Sequence, residues 1–189
     1  MGFAIMVDAP NFINDLVRNG YDKDDILECL SFPVLHSLIQ KRLKDNGLSS
    51  HPFLCTEIIH SNINKLGPFE GDDKKRLLDK LRHQRGVTTT EVNLSKSEDN
   101  EKGVDMFVFV RMLEFGIIAR PYMYHNVLIG SDKDYVPAMQ LMRKLGIHMI
   151  MIGFDDCPIE QINESYLFIN LKDLMVEMIE EIRTTRRTL

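Results

Sequence analysis

Four aspartates stand where carboxylates can do chemistry: Asp8 after the apolar run FAIMV, Asp105 in KGVD, and Asp132 and Asp134 at alternate positions in LIGSDKDY. Each follows a strand or opens a helix, on what should be one edge of a single sheet. Carboxylates brought that close repel one another unless a cation sits among them. Hard divalent ions such as Mg²⁺ relieve the repulsion, taking oxygen ligands at about 2.0–2.1 Å and keeping several waters. An ion held this way can activate a water and polarise a phosphodiester. The same aspartates have a plainer use as helix caps and turn residues, and spacing alone does not choose between the two.

The elements that must position them can be read from the pattern of apolar residues. Val127, Leu128 and Ile129 suit a strand buried on both faces, ended by Gly130 and Ser131. Asp132 or Asp134 can cap the helix that follows, which has Pro137 near its first turn, Leu141, Met142 and Leu145 at helical spacing, and Gly146 at its end. Ile147 to Ile152 is a further strand, so the unit is βαβ with parallel strands and a right-handed crossover. Ligands in open α/β sheets bind at the carboxyl ends of strands, which is where Asp132 and Asp134 fall. Phe3 to Val7 is a first strand with the same geometry, delivering Asp8 and, through Ala9-Pro10, Asn11.

Between these units, Asn14 to Lys44 has helical spacing in two pieces separated by Pro33. Phe53 to His60 reads as a strand, followed by a polar connection through Asn62, Gly67, Pro68 and Gly71. Lys74 to Arg85 is a basic amphipathic helix with Leu77, Leu78 and Leu81 inward, Val87 to Leu94 a threonine-rich edge strand, and Ser95 to Glu101 a charged, mobile stretch. Met106 to Ile118 reads as a helix with Asp105 near its start. Phe168 and a last amphipathic helix from Leu171 to Ile182 complete an α/β chain: a three-layer α/β/α sandwich with a central, mainly parallel sheet. The expected organisation is one domain over 1–189, with 171–189 a C-terminal amphipathic helix and basic tail. The stripe on that helix should pack on its own domain, a homodimer seam being its other use.

At 189 residues and 44% hydrophobic, the chain can bury a full core. A net charge of −5 argues against nonspecific coating of nucleic acid but not against a local basic groove. Three widely spaced cysteines match neither a disulfide framework nor a zinc pattern and read as free thiols in a reducing cytoplasm. No apolar run approaches the ~20 residues of a membrane span, so no membrane partner is expected. The six histidines show no metal-ligand spacing, and no GxxxxGK[ST] or GxGxxG occurs.

Taken together, VDAPN, KGVD and LIGSDKDY, followed by an apolar helix and IHMIMIGF, resemble the NYN domain, a branch of the PIN-like nuclease superfamily that includes the LabA-like proteins. The resemblance runs from the first strand to about Leu174. It implies a PIN-like fold and a metal-dependent RNase centre lined by Asp8, Asp105, Asp132 and Asp134, with Mg²⁺ or Mn²⁺ as cofactor, Asn11 and Ser131 as polar neighbours, and single-stranded RNA as substrate. Lys74, Lys75 and Arg76 could then track the RNA backbone. The sequence departs from the family pattern at Ala9, at the inverted pair Gly130-Ser131, and at Arg111, where the family often carries another aspartate six residues after KGVD. Arg111 can pair with Glu114 on a helix face or contact a phosphate; placed in the site it would weaken metal binding, leaving a module that binds RNA or a protein without cutting.

Overall fold

The computed structural model describes residues 2–48, 55–63, 65–94, 102–118 and 123–187. At its centre is β1 (Gly2–Asp8), whose alternating side chains divide between two cores. Phe3, Ile5 and Val7 enter one, Ala4 and Met6 the other. A strand buried on both faces reads as a continuous apolar run, as FAIMV does.

From β1 the chain runs through α1 (Ala9–Arg18), α2 (Lys23–Cys29) and α3 (Phe32–Asp45) to β2 (Cys55–Ser61). The helical stretch is therefore three helices, where the spacing suggested two. The first break is at Gly20, with φ of +89°, and Asp22 caps α2 by accepting the Asp25 N–H. Pro33 lies inside the first turn of α3, where its missing N–H costs nothing. The polar connection after β2 contains a short hairpin, β3 (Lys65–Leu66) with β4 (Phe69–Glu70). Its turn residue Gly67, at φ +58°, packs so closely on α1 that a Cβ would lie 2.5 Å from Ile13 Cγ2. The next helix, α4 (Gly71–Arg82), starts and ends three residues earlier than its basic run, and β5 (Val87–Val92) follows.

The second half comprises α5 (Lys102–Ile118), β6 (Met123–Ile129), a 3₁₀ turn (Lys133–Tyr135), α6 (Val136–Lys144), β7 (His148–Gly153), α7 (Ile159–Glu164), β8 (Leu167–Asn170) and α8 (Leu171–Arg187). Neither α7 nor β8 was marked by the spacing of apolar residues. The stretch expected to be mobile, 95–101, lies outside the described residues.

Six strands form one parallel sheet in the order β5-β2-β1-β6-β7-β8, with β5 at an edge as its threonines suggested. Helices α1 to α4 and α8 cover one face, and α5 to α7 the other, giving the three-layer α/β/α sandwich. Leu171, Leu174, Met175 and Met178 are buried in the first core, so α8 spends its apolar stripe on its own fold. No described helix is long and apolar enough to cross a membrane.

The order of the strands fixes where a site can form. The chain leaves β1 toward β2 on one side and returns to β6 on the other, so the connections after β1 and β6 go to opposite faces. Adjacent strands whose connections diverge leave a crevice at their carboxyl ends. Val7 pairs with Ile129, which puts Asp8 beside Gly130 at the mouth of that crevice.

Candidate metal centre

Asp8 ends β1 and caps α1: its Oδ1 accepts the Asn11 N–H at 3.2 Å, and its Oδ2 accepts the Asn11 side-chain amide at 2.6 Å. The same Asn11 amide reaches Asp132 Oδ2 at 3.5 Å, tying the ends of β1 and β6 together. Asp132 caps the 3₁₀ turn by accepting the Asp134 N–H at 2.9 Å. Gly130 makes this approach possible, because at φ +147° a Cβ would stand 3.1 Å from that of Asp8. Asp105, in the first turn of α5, completes the group from the opposite face.

Carboxylate oxygens of Asp105, Asp132 and Asp134 all lie within 4.8 Å of one another. On an octahedral ion with bonds of about 2.1 Å, neighbouring oxygens are about 3.0 Å apart and opposite ones about 4.2 Å, so the three carboxylates would draw inward to hold Mg²⁺ or Mn²⁺. The donors are all hard carboxylates, the chemistry such ions take. Asp8, 1% exposed, lies directly beside this trio: its carboxylate is within hydrogen-bonding reach of the Asp105 carboxyl and also accepts from Asn11.

A further tie between Asp8 and Asp105 is Tyr135, which residue spacing had not singled out. Its hydroxyl, on a side chain 1% exposed, donates to Asp8 Oδ2 at 2.6 Å and lies 3.4 Å from Asp105 Oδ1. It closes the motif LIGSDKDY, next to Asp134.

Burial raises the pKa of Asp8, against the lowering effect of its hydrogen bonds from Tyr135 and Asn11. Asp105 is pushed up to about 7, by burial first and then by the charges of Asp8 and Asp132. Burial and the same carboxylates push the Tyr135 hydroxyl well above its ordinary range, so it stays a donor. Without a cation, Asp105 is therefore a carboxyl that resists ionising.

The sign for stability follows. Asp105 keeps a proton in the folded chain over a pH range, from about 4 to about 7, in which the unfolded chain has released it. Its contribution falls as pH rises through that range and levels off above it. Buried His36, held down at about 4, acts in the opposite sense, so Asp105 is read as a difference between proteins. In EDTA, Asp105→Asn should gain about 1–2 kcal/mol over the parent between pH 5 and 8, after discounting for solvent screening of a half-exposed carboxyl. Thermal melts across this range check it; parallel pH profiles in the two proteins would refute it.

The remaining expected site residues lie elsewhere. Ser131 turns away from the trio: its buried hydroxyl lies beside Asp15 and Cys157 without completing a well-aligned hydrogen bond to either. Lys74 is 7% exposed, and its ammonium donates to the carbonyls of Ser61, at 2.8 Å, and Ile63. It braces the connection after β2 and is not placed to meet a phosphate. Lys75 and Arg76 are exposed on α4.

Arg111 is also outside the cluster. Its Nε donates to Glu57 Oε2 at 2.8 Å, its Nη1 donates to Glu114, and its guanidinium lies 5.3 Å from the Phe115 ring centroid. Glu57, on β2, is 5% exposed and also accepts from Thr90 Oγ1 at 2.7 Å. The pairing with Glu114 is present, but the principal partner is the buried Glu57. Arg111 is thus a counter-ion within the fold and contacts none of the clustered aspartates.

The NYN domain profile matches residues 3–177. The chain belongs to the NYN domain family. Among solved structures it is similar to a protein of unknown function from Vibrio parahaemolyticus, with 14% identity, a TM-score of 0.61, and coverage of 92% of this chain and 94% of that one. This likeness concerns the fold alone. No curated protein matches the chain.

Proposed function

We propose that this NYN domain is a metal-dependent endoribonuclease that cuts single-stranded RNA, with Asp105, Asp132 and Asp134 holding Mg²⁺ or Mn²⁺. The observation that carries the reading is the convergence of three hard carboxylates within 4.8 Å at the crevice between β1 and β6. Bound there, the cation would supply an activated water and charge stabilisation for the phosphodiester.

The chain's own residues do the rest. Asn11 holds Asp8 and Asp132 at a fixed separation. Tyr135 keeps Asp8 and Asp105 oriented through one hydroxyl, a constraint that precedes any ligand. Asp134, exposed on the 3₁₀ turn, faces incoming substrate. Lys75 and Arg76 extend the contact to the RNA backbone as solvated cations. The ordered trio of motifs supports placing the chain with the LabA-like proteins within the family, and its free cysteines suit the cytoplasm. Arg111 was the reason to consider a domain that binds without cutting; bound to Glu57 and Glu114, it takes nothing from the carboxylate trio.

The test is incubation with unstructured RNA. Cleavage should appear with Mn²⁺ or Mg²⁺, cease in excess EDTA and return on adding the ion, while a duplex of the same sequence survives. Undiminished cleavage in EDTA would remove the metal from this reading.

A further inference from the structure

Between α5 and α6 a cleft of about 500 Å³ opens directly beside the acidic trio. Met106 and Phe109 line it from α5, and Pro137 and Leu141 from α6, while Asp105 and Asp134 close one end. Met106 is 62% exposed and Leu141 38%, an unusual outlay of apolar surface at the mouth of a charged site. We propose that this cleft seats one unpaired RNA base next to the scissile linkage, an inference that rests on the nuclease reading.

Three features select this occupant. The two carboxylates that end the cleft are shared with the metal trio, so a phosphate drawn to the cation brings its neighbouring nucleotide to the cleft. A protein partner laid over the same apolar surface would instead bury those carboxylates without counter-ions, which is costly. It would also need roughly 800 Å² per side, far beyond one cleft. Finally, among the described residues that line it no side chain offers an N–H, and the Tyr135 hydroxyl donates to Asp8. The base is therefore held through its face, on Phe109 and the Met106 thioether, with little reading of its edge. A base within a duplex has its faces covered by its neighbours, so the cleft selects single strands and favours purines, which stack best.

The experiment combines two variants with two RNAs. Phe109→Leu keeps the apolar bulk and removes the ring; Met106→Ala alters an exposed residue without touching the core. Single-stranded oligonucleotides of one sequence carry either a normal base or an abasic residue beside the cleaved linkage. Each change alone, in protein or RNA, should lower kcat/KM about tenfold or more, as expected for loss of one stacked base, with a smaller loss for Met106→Ala. Phe109→Leu should lose nothing further on the abasic RNA, and its Mn²⁺-induced rise in Tm should match the parent's. With Ca²⁺ in place of the catalytic ion, 2-aminopurine at the same position should be quenched on binding to the parent and less so with Phe109→Leu.

Additive losses, or an unquenched probe, would overturn the base cleft while leaving the nuclease reading intact. If the parent binds Mn²⁺ but cuts no RNA, the nuclease reading falls; quenching would then retain the cleft as a base site on a non-cutting domain, and no quenching would remove both. A dimer at assay concentration, dissociated by Met106→Glu, would assign the surface to a second copy and overturn the proposal.

Discussion

Asp132→Asn should remove most of the stabilisation of this domain by Mn²⁺ and lower RNA cleavage by more than about a hundredfold, leaving the fold in place. The floor on that magnitude comes from residues one shell further out, whose loss alone costs about 10–100-fold in metal affinity or activity. The side-chain oxygen of Asn can still accept the Asp134 N–H, so the 3₁₀ turn keeps its cap. What disappears is one carboxylate of the trio, together with part of the repulsion that raises Asp105. The metal-free variant should therefore melt at or above the parent's temperature, while the parent gains more than the variant on adding Mn²⁺, since a ligand confined to the native state must stabilise it. Melting curves with and without Mn²⁺, beside a single-stranded RNA assay, check both halves. Cleavage by the variant at the parent's rate would end the assignment.

Much of the architecture was legible because it rests on simple periodicities. FAIMV, the run ending in VLI and IHMIMI are too uniformly apolar for anything but strands buried on both faces, and aspartates or polar breaks end the first two. The apolar segment after KGVD was harder, because strand formers dominate it; Met106 to Ile118 is too long for an ordinary strand, and with KGVD it forms the 17-residue α5. The β3–β4 hairpin and β8 escaped because strands of two and four residues carry no usable period. Lys74 was readable but misread. It stands three and four residues before Leu77 and Leu78, on the stripe taken as inward, so helical geometry sends its stem into the core and its ammonium to backbone carbonyls. Tyr135 was not readable at all, since only the meeting of β1, α5 and the 3₁₀ turn gives its hydroxyl two carboxylates to serve.

Arg111 was where helical geometry could have corrected the family comparison. Six residues beyond Asp105, a side chain has turned by about 600° and advanced about 9 Å, so the two cannot share a face. Arg111 instead meets Glu57, and its removal should act on stability. Arg111→Ala leaves a buried carboxylate whose other partner is the Thr90 hydroxyl. Breaking a fully buried pair costs about 3–5 kcal/mol; with the arginine one-third exposed, about 2–3 kcal/mol is expected. For a chain of this length that is a fall in Tm of about 5–10 °C. Arg111→Asp, which would restore the common family residue, should be worse, setting a second carboxylate against Glu57. Adding Glu57→Gln to Arg111→Ala should recover much of the loss, because the orphaned charge is gone. Throughout the series the Mn²⁺ affinity, measured by calorimetry on the variants that fold, should stay at the parent's value. Tighter Mn²⁺ binding by Arg111→Ala, or an unchanged Tm, would show that the arginine acts on the metal centre rather than on Glu57.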